Sequence, residues 1–272
     1  MKTQSIAAAT GVGTVDIGVT DADRALRFYR DYVGLTPLPG DGPDIRMGAA
    51  GREILVLHPG AERPVVARTS GLYHLAILVP DRRELARVIG RLARLEWDQS
   101  PTDHVMTKAN YIWDPDGNGI EIYTETPEDG TMGFANGTFA AYDKDGRARS
   151  GRDPIDIREL FSHLRHDDDL EAPLPQGTKM GHVHLHVADV DDALRFYHDL
   201  VGFDVMGQVP GVGFVSAGGY HHHLGLNEWA GRGGPAALHG RAPGEVRPRR
   251  RRGAPRTWRG ASDRGRRRLR RG

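Results

Sequence analysis

Apolar and polar residues alternate along short runs of this chain, and three such runs open the same succession of elements. Val15, Ile17 and Val19 alternate with Asp16 and Gly18; Val183, Leu185 and Val187 alternate with His184 and His186. A period of two predicts a strand with one face turned to a core. Each run leads to an aspartate suited to cap a helix, Asp21 or Asp189, and then to apolar residues at helical spacing. These are Ala25, Leu26, Phe28 and Tyr29 in one case and Ala193, Leu194, Phe196 and Tyr197 in the other, and the four aromatic side chains are expected in the core. Gly34 and Gly202 predict where the helices stop.

Residues 12–35 and 180–203 align without a gap and agree at 13 of 24 positions, so they are one element written twice. A third copy starts at Leu72, where His74 precedes Asp81 by the interval that separates Thr14 from Asp21 and His182 from Asp189. Its helix carries Leu85, Val88, Ile89 and Leu92 on one side. Short apolar runs at 54–58, 110–113, 120–124, 213–217 and 220–226 complete the units as βαββ modules. The prediction is an α+β fold whose repeated modules form curved mixed sheets around a cup.

By this reading residues 1–125 hold modules one and two as a first domain. Residues 126–178 form a linker that wraps the surface or covers the site entrance, with one helix-compatible patch at 155–164. Residues 179–235 are a third module, an incomplete second domain, and 236–272 are an Arg-rich tail. The run Asp167, Asp168, Asp169 reads as a solvated acidic loop.

Composition changes the picture in two ways. The chain has no cysteine, which excludes a disulfide frame, a thiolate metal site or an iron–sulfur cluster, so any metal would be held by His and carboxylates. Residues 241–272 carry 14 of the 37 basic and 2 of the 36 acidic side chains, leaving 23 basic against 34 acidic elsewhere, a balance of −11. A nucleic-acid-binding arm is one reading of the tail. Frameshifted sequence in place of a fourth module is the favoured one, and nucleic acid is not an expected partner. No apolar run approaches membrane-spanning length, and the first residues are too short and weakly apolar for a secretory signal, so a cytoplasmic protein is expected.

The copies differ where chemistry would sit. The strand face that holds Thr14, Asp16 and Gly18 in module one holds His182, His184 and His186 in module three. Module two adds His104, Tyr111 and Glu121 around the turn 114–119, whose two strands would face one cavity. At His104, Tyr111, Asp114, Pro115, Gly117 and Glu121 this stretch resembles the motif of type I extradiol ring-cleaving dioxygenases, in the vicinal-oxygen-chelate superfamily that includes glyoxalase I. It departs from that motif at Asn110. The whole chain is similar to the two-domain, catechol 2,3-dioxygenase-like branch.

That resemblance implies an iron site made of His74, His182 and Glu121, a facial triad for Fe(II) with Mn(II) as the alternative. It further implies His222 as acid and base, titrating near neutral pH, and His104 and Tyr111 as residues that orient the substrate. His221 and His223 are expected on the strand surface or behind the site. The implied reaction is cleavage of a catechol-type aromatic with O2, in a protein that could associate with further copies of itself. Two other readings of the scaffold are a glyoxalase-type isomerase, lyase or thiol transferase, and a metal-free protein that sequesters its ligand, as in bleomycin resistance.

Overall fold

Asp21, Asp81 and Asp189 each accept a hydrogen bond from the backbone N–H three residues on, and each opens a helix. The computed structural model describes residues 4–135 and 138–235 together with the backbone of 245–246. Module one comprises β1 (Val15–Val19), α1 (Ala22–Arg27), β2 (Thr36–Leu38), β3 (Ile45–Ala49) and β4 (Arg52–Pro59). Module two comprises β5 (Gly71–Leu78), α2 (Arg82–Arg94), β6 (Ser100–Asp103), β7 (Thr107–Trp113) and β8 (Gly119–Glu125).

The connection to module three contains β9 (Gly130–Ala135), β10 (Thr138–Asp143), β11 (Ala148–Arg149), β12 (Asp153–Pro154) and α3 (Ile157–Phe161). Module three comprises β13 (Lys179–His186), α4 (Val190–Leu194), β14 (Asp204–Val209), β15 (Val212–Ser216) and β16 (Leu224–Asn227). A last short strand is β17 (Glu245–Val246). Helices α1 and α4 widen into π-type turns over Phe28–Val33 and Arg195–Val201. Both end at the expected glycines, Gly34 at φ 93° and Gly202 at φ 100°, where a side chain would be strained.

Every module repeats one strand order, β1-β4-β3-β2, β5-β8-β7-β6 and β13-β16-β15-β14, with its first strand parallel to its last. Modules two and three each have one strand more than the hydrophobic pattern reveals, and module one has two, β2 and β3. β2, β6 and β14 lie outermost in their modules and consist of exposed and half-buried residues, so no apolar alternation marks them.

Antiparallel pairing of β5 with β13 fuses modules two and three into a nine-stranded mixed sheet. Module one keeps a five-stranded sheet with β17 beside β1. It leans on module two through helix packing, with the Phe28 and Tyr32 rings 5.0 Å and 4.8 Å from that of Trp97. The expectation that all four helix aromatics are core residues fails at Phe196, which is 51% exposed while Phe28 is buried. α2 and Trp97 cover that face in module one, whereas α4 packs on β15 and β16 of its own sheet.

The linker is more structured than its composition suggests. β9, β10 and β11 form a small sheet, β12 pairs with β6, and α3 packs on α2. Arg91, fully buried, donates to the carbonyls of Leu170 and Ala172 at 2.6 Å each. Asp168, read as solvated, is instead bound by Arg83 and by the Arg165 N–H. Apart from β17, the Arg-rich tail and the expectations attached to it lie outside the described residues. Among the described residues no helix is long and apolar enough to cross a membrane.

Candidate metal centre

Strand register gathers the side chains the sequence singled out. Tyr111 on β7 stands opposite Glu121 on β8, Glu121 opposite Ala76 on β5, and Ala76 opposite His182 on β13. His74, two residues before Ala76, shares its face and pairs with His184 across β5 and β13. Ala76 and Ala109 are buried on this face, and such small side chains leave room between the larger ones.

Glu121 lies at the centre. His182 Nε2 donates to Glu121 Oε2 at 3.0 Å, and His74 Nε2 lies 3.0 Å from the same oxygen, but not aligned for a hydrogen bond. All three side chains are buried, and His74 Nδ1, His74 Nε2 and His182 Nδ1 lack hydrogen-bond partners. Orphaned buried nitrogens cost free energy, which a bound cation would recover. One ligand atom from each residue lies within 4.8 Å of the other two. Two ligands about 2.1 Å from one ion and at right angles to each other stand about 3.0 Å apart, so the donor set and its spacing fit a divalent metal.

The charge state fits as well. Burial alone would raise the Glu121 pKa, but His182 and His74 outweigh it and hold the carboxyl well below its ordinary range. Burial, only partly countered by Glu121, pushes His74 down, so its imidazole is neutral at pH 7. A neutral imidazole and a carboxylate are the forms that bind metal.

On the module-two side, His104 Nδ1 donates to the carbonyl of Gly151 at 2.6 Å, which leaves Nε2 to accept from the Tyr111 hydroxyl at 2.9 Å. Gly151 belongs to the linker, for which the sequence suggested no chemical role. It sits at φ 68°, and a Cβ there would meet the Phe139 ring at 2.8 Å. The Tyr111 ring lies 5.6 Å from that of His74, so the pair borders the centre.

On the module-three side, the His222 ring is 4.2 Å from that of His182. Burial first, then His182 and His221, push its pKa well below the ordinary value, which corrects the expected titration near neutrality. A second correction concerns residues 221–223, read as strand. Gly218 and Gly219, at φ 64° and 78°, turn the chain after β15, and the strand resumes only at Leu224. His223 is a structural residue whose Nδ1 accepts from Ser216 Oγ at 2.9 Å.

His184 is buried beside His74, Phe214 and Trp229 with its Nε2 unpartnered, and His186 bonds Asn227 at 2.7 Å. A cleft lined by Gly18, Ala61, Arg68, Tyr73, Trp113 and His186 contains none of the three central residues in its wall.

The turn 114–119 has a use the sequence did not disclose. Asp114 accepts from the N–H groups of Asp116 and Asn118 at 2.9 Å and 2.8 Å and from the Tyr29 hydroxyl at 2.9 Å, while Asp116 accepts from the Thr20 N–H at 2.8 Å. The motif thus shapes its own turn and ties module one to module two. Its only sequence signal was the aspartate pair, which an ordinary turn also favours.

A family model described as Glyoxalase/Bleomycin resistance protein/Dioxygenase superfamily matches residues 11–122 and 179–242. The catechol-2,3-dioxygenase of Bacillus subtilis (strain 168) is 36% identical over 236 residues, 85% of this chain and 79% of that protein. A solved structure from Bacillus subtilis subsp. subtilis str. 168, described as a candidate dioxygenase, superposes with a TM-score of 0.54 at 16% identity. The match covers 89% of this chain and 69% of that one and shows a shared fold.

Proposed function

We propose, for a chain that belongs to the glyoxalase/bleomycin resistance protein/dioxygenase superfamily, that it cleaves a catechol-type aromatic with O2 by the extradiol route. His74, His182 and Glu121 hold Fe(II). The observation that carries this reading is the pair of 3.0 Å approaches of His74 Nε2 and His182 Nε2 to one buried oxygen of Glu121. Two imidazoles and one carboxylate would hold the metal while leaving positions open, and Fe(II) bound there would supply coordination of substrate and oxygen together with electron transfer between them. The similarity to a catechol-2,3-dioxygenase supports the oxygen-dependent reaction over the other chemistries of the superfamily.

The remaining residues handle protons and orientation. His222, kept neutral by burial, accepts a proton from a catechol hydroxyl and can return it when the ring opens. The Tyr111 hydroxyl, its pKa raised by burial and by Glu121, stays protonated; with its proton given to His104 Nε2, its oxygen can accept a hydrogen bond from a substrate hydroxyl. His104, its tautomer fixed by the Gly151 carbonyl, holds that hydroxyl in direction.

Anaerobic reconstitution with Fe(II), followed by oxygen uptake with a panel of catechols, tests the function. Uptake in proportion to catechol with the yellow colour of a ring-opened product is the expected result. An iron-replete protein that consumes no oxygen with any catechol would overturn it, and turnover of hemithioacetals with other divalent metals would indicate glyoxalase-type isomerisation.

A further inference from the structure

We propose a second cation position on the outer side of the first: the imidazoles of His182, His221 and His222 capture the incoming ion and pass it inward. One nitrogen from each of the three lies within 4.8 Å of the others. The His182 and His222 rings are 4.2 Å apart, and those of His221 and His222 4.7 Å. His221 and His222 are half-buried, whereas His74, Glu121 and His182 are buried, so an ion arriving from water meets the outer pair first. The inward step rests on the function proposed above, since it takes the His74–Glu121–His182 group as the destination.

The outer pair is held in place from both sides. Ahead of it, the Tyr220 hydroxyl lies 2.7 Å from that of buried Tyr123. Behind it, His223 is fixed by Ser216, by its own N–H to the Val215 carbonyl at 2.9 Å, and by its carbonyl accepting from Val183 at 3.1 Å. His221 and His222 are thus suspended between two anchors and turned towards His182.

The chemistry of the two positions differs in a way that sets the direction of transfer. Three imidazoles form a borderline set that suits Co2+, Zn2+ or Cu2+ but brings no anionic ligand. The inner group adds a carboxylate in a low-dielectric surrounding, where its attraction for a dication is stronger. A neutral imidazole keeps a proton on one nitrogen and has one lone pair to give, so His182 serves one ion at a time. The chain should therefore hold a single ion, and His222 is released for proton transfer once that ion has moved inward.

Co2+ mixed rapidly with the metal-free full-length chain, followed through its visible absorption, tests the relay without any turnover. In His221→Ala the stoichiometry should stay at one Co2+ per chain, with uptake slowed about 10-fold. In His74→Ala/Glu121→Ala one Co2+ should still bind, with an imidazole-only spectrum, and adding His221→Ala should abolish that binding. Should the inner-site variants fail to fold, the uptake rate of His221→Ala decides alone. Equal uptake rates and spectra in His221→Ala and the native chain would overturn the outer position while leaving the inner one intact. A native chain that takes up no Co2+ would overturn both.

Discussion

Glu121 is the residue on which the site turns, because the His74 and His182 imidazoles approach the same one of its oxygens. Glu121→Gln keeps the shape and removes the charge; we expect divalent-ion affinity to fall by about 100-fold or more, measurable by calorimetric titration. The surrounding histidines make a second forecast. His74, His184, His221 and His222 all have pKa values lowered chiefly by burial. Below about pH 6.5 the unfolded chain binds protons that the folded chain does not, so folded stability is lost on acidification and fully kept above that range. Glu121, with its folded pKa depressed, adds a loss of the same sign, beginning below about pH 4.5. The melting temperature of the metal-free protein should therefore be flat above neutrality and fall steadily towards pH 4; a rise on acidification would contradict the buried, neutral state of these rings. The identity of the three central residues was legible in the sequence through the resemblance, and the shared interval to the capping aspartates matched His74 to His182. The depressed pKa of His222 was not, because it depends on which rings crowd it.

Among the elements, β5 and its neighbours set the room available for an ion. Ala76 stands between Glu121 and His182 in the cross-strand row. Ala76→Leu should fill the cup and abolish metal binding while costing about 1–3 kcal/mol of stability, so that a folded protein by circular dichroism with no bound ion is the expected outcome. The turn 114–119 supports a different expectation. Tyr29→Phe leaves Asp114 without one buried donor and should lower stability by about 1 kcal/mol in urea unfolding, with metal stoichiometry unchanged. Helices, caps and first strands could be read from periodicity, since burial of one face writes itself into the sequence. The outermost strands β2, β6 and β14 could not, because they bury too little to require a pattern, and residues 221–223 were misread because an apolar run with histidines also fits a strand.

Across the whole molecule, metal binding should couple to folding, since the proposed ligands come from strands whose members lie 108 residues apart in sequence, His74 on β5 and His182 on β13. Saturation with an ion at 100 times its dissociation constant should add about 2.7 kcal/mol, visible as a rise in melting temperature that chelation reverses. The sequence by itself determined the repeat, the helix starts and stops and the α+β class, while the three side chains at the centre were named only by the family resemblance. The repeat, the helix ends and the class are local or periodic properties, imposed by hydrogen-bond capping, by side-chain alternation and by the matched intervals between copies. Only the tertiary structure decided that β5 joins β13 in one sheet, that Gly151 of the linker fixes His104, that the Asp114 turn fastens module one, and that Phe196 lies exposed where Phe28 is buried. Each of these depends on a contact between segments far apart in the chain, and nothing in the spacing of residues within one segment encodes which distant surface it will meet.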